Sequence, residues 1–299
     1  MNNINKVLVA GGGTLGSQIS WQVAFSGFEV NVYDLFDEGI THCKRNHEQF
    51  ARIFKKHRNA SDEQLTTAKA RIHFFTNLEE AVNNVDLVSE SVPEELETKL
   101  QFYQQLSKHA PSKTIFTTNS STMVPSQMLS AIDRPAKFLA LHFANGIWEA
   151  NVGEVMGHKQ TDAGIFNQVM AFAQDIGMVP IPIYKEQNGY ILNSLLIPFI
   201  QSAEKLLIEG VSDFASIDKT WMIATNMKMG PFGIMDMIGM RTIYNVHKMM
   251  LHKTGDEKAK KMATFIKKEM IDKGKMGMST GEGFYKYPNP AYEHPEFTK

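Results

Sequence analysis

The chain has 299 residues, 43% of them hydrophobic and 21% charged, with a formal net charge of −1. That composition describes a globular chain with room for one large domain or two ordinary ones. Near-neutral charge removes any general attraction to nucleic acid or an anionic membrane, and a single cysteine, Cys43, excludes an intrachain disulfide or a cysteine-rich metal site.

The opening "MNNINKVLVA" holds an apolar run too short for a signal sequence or a membrane span, and it leads straight into glycines. A cytoplasmic protein without membrane contact is expected. In chain order, strand-like segments fall at 6–11, 29–34, 71–76, 86–92, 114–119, 137–143, 153–157 and 178–184, with helix-like stretches between many of them. Those at 6–11, 86–92, 114–119 and 137–143 are mostly apolar or small, as strands buried on both faces are. The alternation predicts a mostly parallel α/β sheet with right-handed crossovers. Around "KEQNG" (185–189) the pattern changes to helical stretches only. A boundary is therefore placed at 187: residues 1–187 form the α/β domain and residues 188–299 an all-helical one. Pro198, inside the first of these helices, predicts a kink or break. Twelve of the eighteen methionines fall between Met222 and Met278. Adaptable helix packing, with an interface between subunits as one use of it, explains them more simply than an acyl-binding wall.

The strongest local signal is "VLVAGGGTLGSQISWQVAFSGFEVNVYD". Gly11, Gly13 and Gly16 make G-x-G-x-x-G after a buried strand and before an apolar-periodic helix, and Asp34 ends the second strand about 20 residues on. Gly11 permits the tight turn, Gly13 a close approach to a pyrophosphate, and Gly16 close packing of helix on strand. The helix N-terminus, at Thr14 and Leu15, offers N–H groups and a partial positive charge to phosphates. Asp34 suits a ribose 2′-hydroxyl and repels a 2′-phosphate, so NAD is expected over NADP.

Two further segments carry candidate chemistry. "TIFTTNSST" brings Asn119, Ser120 and Ser121 to the carboxyl end of a central strand, where open α/β sheets bind ligands; a helix N-cap is the alternative. "KFLALHFANGIWEANVGEVMG" carries His142 at the end of an apolar strand and Glu154 twelve residues on. A carboxylate beside an imidazole fixes its tautomer and supports its protonated form, but a satisfied core histidine reads equally from the residues alone. No histidine spacing suggests a metal, and none is expected.

The ordered set GGGTLG with Asp34, "SESVPEELETK", "TTNSST", "LHFAN…EVMG", "NGYILNSLLIPF", "MGPFGIMDMIG" and "TGEGFYKY" resembles the L-3-hydroxyacyl-CoA dehydrogenase family over nearly the whole chain. The resemblance implies a Rossmann-type NAD domain and a helical C-terminal domain that binds substrate and forms a homodimer. It implies catalytic roles for His142, Glu154, Ser121 and Asn193, and cofactor contacts at Glu94, Lys99, Asn119 and Asn145. Read without it, Glu94 and Lys99 are an exposed helix pair and Asn193 a helix amide. Hydride transfer between (S)-3-hydroxyacyl-CoA and 3-oxoacyl-CoA is the implied reaction. Family members usually read H-F-F-N-P where this chain has "HFANG", followed by Trp148. With "IDKTW" (217–221), this looks like the diketoreductase branch, which accepts diketo esters without CoA. A redox-silent NAD-binding protein is the remaining alternative. The segment 44–58 offers Lys44, Arg45, Arg52, Lys55, Lys56 and Arg58 to the phosphates of CoA or, equally, to solvent. Phe50 and His57 stand where the family commonly has serine and lysine.

Overall fold

The structure is a computed structural model that describes residues 4–299. All eight strand-like segments form strands of one sheet: β1 (Lys6–Ala10), β2 (Glu29–Tyr33), β3 (Ile72–Phe75), β4 (Leu87–Glu90), β5 (Ile115–Thr118), β6 (Phe138–Phe143), β7 (Val152–Met156) and β8 (Val179–Ile183). Their spatial order is β3-β2-β1-β4-β5-β6-β7-β8. Every neighbouring pair is parallel except β6 with β7.

The helices are α1 (Thr14–Phe25), α2 (Asp37–His57), α3 (Asp62–Ala70), α4 (Leu78–Ala81), α5 (Leu96–His109), α6 (Ala163–Asp175), α7 (Tyr190–Ile208), α8 (Phe214–Thr225), α9 (Pro231–Ile238), α10 (Met240–Thr254) and α11 (Glu257–Phe265). Side chains that accept backbone N–H groups mark several starts: Ser61 with Gln64 in a capping box, Asn77, Asp162, Asp213 and Asp256. The chain divides into two compact units between Asn193 and Ser194, inside α7 and a few residues beyond the compositional break near 187.

In the first unit β1 shows why the strands are mostly apolar. Val7 and Val9 face one core, with Trp21 of α1, Phe54 of α2 and Phe172 of α6. Leu8 and Ala10 face the other, with Phe102, Tyr103 and Leu106 of α5. Two buried faces leave no polar side for alternation to appear. This is a doubly wound Rossmann-type unit. Its strand order reverses at β1, so the carboxyl ends of β1 and β4 flank the crevice where such sheets take ligands.

The second unit is helical, with only isolated bridges at Gly277, Glu282 and Lys286 among its described residues. Its core takes five of the clustered methionines: Met222, Met235, Met240, Met262 and Met270. Adaptable core packing accounts for these. Helix α7 runs through Pro198 without a break; Phe199 and Ile200, just beyond, pack into the core. By length and composition α7 alone among the described helices could cross a membrane. Its Tyr190 end is nevertheless buried in the first unit, and Ile200, Ala203 and Glu204 are buried in the second.

Two buried carboxylates organise this unit. Asp218 accepts the backbone N–H groups of Phe232 and Gly233 and the Tyr285 hydroxyl at 2.9–3.0 Å. Asp236 accepts those of Phe284 and Tyr285 and the Tyr287 hydroxyl at 2.8–3.0 Å. The motifs "GPFGIMDMIG" and "TGEGFYKY" are thus tied to each other and to α8. Burial pushes Asp218 up to about 6 despite its donors. The folded state then holds this proton more tightly than the unfolded chain, whose aspartate titrates near 3.8. Its contribution to stability is therefore full below pH ~4 and falls as pH rises through ~6. Relative to Asp218→Asn, which cannot titrate, wild-type stability should fall by on the order of 2 kcal/mol between pH 4 and 7. Urea unfolding of both proteins across that range measures the difference, which stays constant if Asp218 titrates normally.

Candidate active site

The carboxyl ends of β1 and β4 meet at the glycine loop. Gly11, at φ +102°, donates to Tyr33 O, and Ser91 donates to Ala10 O. A Cβ at Gly11 would lie 2.4 Å from Ser91 O, and one at Gly16 only 1.9 Å from Gly11 O. A Cβ at Gly13 would meet nothing within 4 Å. The first and third glycines therefore serve packing, and the middle one borders open space. Helix α1 begins there without a side-chain cap or an acidic residue in its first turn. Its leading N–H groups, at Thr14, Leu15 and Gly16, remain available to an anion. The Asp34 carboxylate accepts from Gly12 N at 2.7 Å and Phe36 N at 3.1 Å, which fixes both oxygens. A Cβ at Gly39 would fall 2.2 Å from that carboxyl carbon. A cavity of about 820 Å³ opens from this loop, lined by Gly13, Asp34, Phe36, Val92, Gln101 and His109 among others. An extended nucleotide fits its size and lining: open backbone at one end, a carboxylate for a ribose, and apolar walls.

Further along the sheet edge, Ser121, His142 and Glu154 come together. His142 of β6 and Glu154 of β7 are direct cross-strand partners, so their side chains share a face. His142 Nδ1 lies 2.9 Å from Glu154 Oε2, and Nε2 lies 2.9 Å from Ser121 Oγ. Both His142 and Glu154 are buried. The other Glu154 oxygen accepts from Ile191 N at 2.9 Å and Leu192 N at 3.0 Å. The carboxylate thus sits at the N-terminus of α7, where free N–H groups and the helix dipole favour negative charge. Burial alone would raise its pKa; the hydrogen bond from His142, those from Leu192 and Ile191, and the charge of His142 together hold it below the usual range. With Glu154 ionised, the neutral imidazole keeps its proton on Nδ1, and Nε2 is left to accept the Ser121 hydroxyl proton.

Glu94 fixes the serine. One carboxylate oxygen accepts from the Ser120 hydroxyl, the Ser121 and Thr122 backbone N–H groups and the Thr122 hydroxyl at 2.6–2.9 Å. Burial opposes its charge, but Lys99, Ser120 and Thr122 outweigh burial and lower its pKa. Lys99 is no exposed partner of Glu94. It is 1% exposed, 2.5 Å from the fully buried Glu90 and 3.3 Å from Glu94. Asn119 Oδ1 accepts from Phe143 N at 2.9 Å and pins the end of β6. Asn145 is exposed in the loop after β6, and Asn193 is half-buried in the first turn of α7. Among the described residues no group of three or more His, Cys, Asp or Glu is placed to hold a metal.

Family models agree with this construction. Residues 6–187 match the 3-hydroxyacyl-CoA dehydrogenase NAD-binding domain, and residues 189–287 match the C-terminal domain of the same enzymes. The chain belongs to the 3-hydroxyacyl-CoA dehydrogenase family. It is an NAD-dependent dehydrogenase of that family. It is 28% identical to a probable 3-hydroxybutyryl-CoA dehydrogenase of Bacillus subtilis over 95% of this chain and 98% of that one. Identity to the human mitochondrial hydroxyacyl-coenzyme A dehydrogenase is also 28%, over 95% and 91%. Among solved structures, it resembles a diketoreductase that acts on dicarbonyl compounds, with a TM-score of 0.90, 44% identity and coverage of 96% and 100%. It also resembles the (S)-3-hydroxybutyryl-CoA dehydrogenase of Ralstonia eutropha, with a TM-score of 0.81, 26% identity and coverage of 96% and 100%.

Within this member of the 3-hydroxyacyl-CoA dehydrogenase family, three residues of the site escape sequence reasoning. Glu90 could have been found: a carboxylate in an otherwise apolar strand needs a buried partner. Gly39 and Tyr190 carry no such signal. The glycines yield a separable pair of outcomes. Gly16→Ala should destabilise the protein itself by about 2–3 kcal/mol through overpacking. Gly13→Ala should leave the melting temperature unchanged while weakening NADH binding at least tenfold. Calorimetry of both variants, with and without NADH, tests the assignment, which fails if Gly13→Ala binds NADH as the wild type does.

Proposed function

We propose that the protein interconverts 3-hydroxy and 3-oxo groups, with His142 as general acid and base. The observation that carries the proposal is the continuous chain Ser121–His142–Glu154, with 2.9 Å at each step. In oxidation, His142 Nε2 takes the substrate hydroxyl proton. Ser121, held by Glu94, donates to the substrate oxygen, and Asn193 completes its placement. Glu154 offsets the charge that appears on the imidazole. In reduction His142 returns the proton to the forming alkoxide. NAD, when bound, supplies or accepts the hydride. The Gly11–Gly16 loop with Thr14 and Leu15, Asp34, Glu94, Lys99, Asn119 and Asn145 are the residues assigned to hold it. Lys99 acts mainly by keeping Glu94 in place.

On this reading His142→Ala should lower kcat by about 10²–10⁴-fold with NADH affinity retained. Glu154→Gln should lower it by roughly 10–100-fold, as the loss of an orienting partner does. Stopped-flow turnover beside NADH titration measures both. Wild-type-like turnover in His142→Ala would remove the mechanism, and no turnover of any 3-oxo compound by the wild type would favour a redox-silent protein.

For the substrate, relatives along the whole chain support a 3-hydroxyacyl-CoA. A second reading, a 3-oxo or diketo compound without CoA, is favoured by specific contacts. Arg58 is committed to Trp148 O at 2.9 Å and lies over the Phe54 ring. Phe50 packs on Trp148 with centroids 5.0 Å apart, and Lys55 is paired with Asp62. These bonds draw two cations of the basic segment away from phosphate, and the 44% identity to a diketoreductase points the same way. Rates with acetoacetyl-CoA against a matched diketo ester decide between the two. If CoA is captured by Lys44, Arg45, Arg52 and Lys56, KM for the thioester rises with salt; a flat response excludes capture by charge.

The exposed apolar side chains of the helical unit, Leu206, Trp221, Ile223, Met227 and Met237, support pairing with a second copy through the C-terminal helices. A lone thiol, Cys43, pushed up to about 12 by burial, suits a reducing cytoplasm.

A further inference from the structure

We propose that Tyr190 is a positioning residue for His142: its ring sets the plane of the imidazole, and its π face supports the charge the imidazole acquires. The proposal rests on the assignment of proton transfer to His142. The Tyr190 and His142 rings are stacked, with centroids 4.4 Å apart and planes inclined by 18°. Tyr190 is fully buried and wedged among Val124, Ala140, Met156 and Ile183, so the ring cannot swing away. His142 is therefore fixed in three independent ways: Glu154 holds Nδ1, Ser121 meets Nε2, and Tyr190 covers a face.

The backbone shows that this placement is built at a cost. Tyr190 has φ +54°, and Gly189 before it has φ +81°. Two successive residues with left-handed φ thus open α7, Gly189 just before it and Tyr190 as its first residue. For a bulky side chain that conformation is unfavourable and persists only where the surroundings over-determine it. The turn, closed by Tyr190 N donating to Gln187 O at 3.1 Å, does two things at once. It lays the Tyr190 ring on the imidazole, and it aims the Ile191 and Leu192 N–H groups at Glu154. One strained residue thus delivers both the cover for the base and the helix N-terminus that holds its carboxylate. A neutral aromatic face over a cation is attractive, so the stack favours imidazolium. The phenol stays neutral, because burial, followed by the charges of Glu94, Glu90 and Glu154, raises its pKa far above the ordinary value.

The experiment compares Tyr190→Phe, Tyr190→Leu and a protein carrying a fully fluorinated phenyl ring at position 190, which keeps the shape of phenylalanine and reverses the polarity of its face. His142 is followed by ¹⁵N NMR of its ring in the enzyme without substrate and by the pH profile of kcat/KM. Tyr190→Phe should keep kcat within about threefold and leave the His142 midpoint unchanged. The fluorinated ring should lower that midpoint by half a pH unit or more relative to Tyr190→Phe. Tyr190→Leu should lower kcat at least tenfold with NADH affinity unchanged. Should Tyr190→Leu fail to fold, the pair of phenyl rings still decides. The idea is overturned if both rings give the same His142 midpoint, or if Tyr190→Phe loses activity as Tyr190→Leu does. The NMR midpoint does not depend on turnover. A fluorine-sensitive midpoint in a protein whose His142→Ala variant stays active would therefore sink the mechanism and leave the stack standing.

Discussion

The site depends on one register. Among the described strands β6 and β7 alone pair antiparallel in the sheet, and their pairing sets His142 opposite Glu154. A parallel return would need a crossover of a dozen or more residues. The antiparallel return needs only the loop 144–151, and so it brings two residues close in sequence into side-chain contact. A slip of one position would oppose His142 with Gly153 or Val155 and turn the carboxylate to the other face. Register is well specified here because both strands are buried: Leu141, Phe143, Val155 and Met156 are each at most 2% exposed. The packing of apolar neighbours thus aligns the polar pair.

Around that pair, the fold repeatedly answers a carboxylate with backbone N–H groups and neighbouring donors. Glu154 takes the first turn of α7, Glu94 the turn at 120–122, Asp218 the start of α9, and Asp236 the turn at 284–285. Glu90 is met by the Val92 N–H, by an ammonium and by the hydroxyls of Tyr103 and Thr118. Removing one side of such an arrangement leaves uncompensated polarity in the interior, which costs more than the bond contributes. This explains why motifs in the second unit look like active-site motifs. "GPFGIMDMIG" and "TGEGFYKY" are rich in glycine and aromatics because Gly230 and Gly283 have no room for a Cβ beside Asp218 and Asp236.

Much of the first unit was legible because its signals are local. A strand buried on both faces is an apolar run; a nucleotide loop is a spacing of three glycines with an acidic residue one strand on. Thr14, Leu15 and Asp34 follow from it directly. What was not legible depends on contacts distant in sequence. The approach of His142 to Glu154 needed the register of β6 and β7. Lys99 reads as an exposed helix residue until Glu90, nine positions away on β4, is seen to receive it. Tyr190 required the turn at 187–190, whose direction no periodicity encodes. Pro198 does not break α7: its local preference for ending a helix is outweighed by the packing of its neighbours Phe199 and Ile200.

Reaction type and substrate are legible to different degrees for a physical reason. The residues assigned to proton transfer lie on β6, β7 and the turn after β5, where the register of the sheet and the start of α7 also hold them. At the end of α2 and in the loop 144–151, Phe50 and Arg58 each contact Trp148. Here an aromatic pair stands near a cation whose hydrogen bonds go to Trp148 O and Gln22. The Ser121–His142–Glu154 chain, by contrast, is fixed by the pairing of β6 with β7 beneath it.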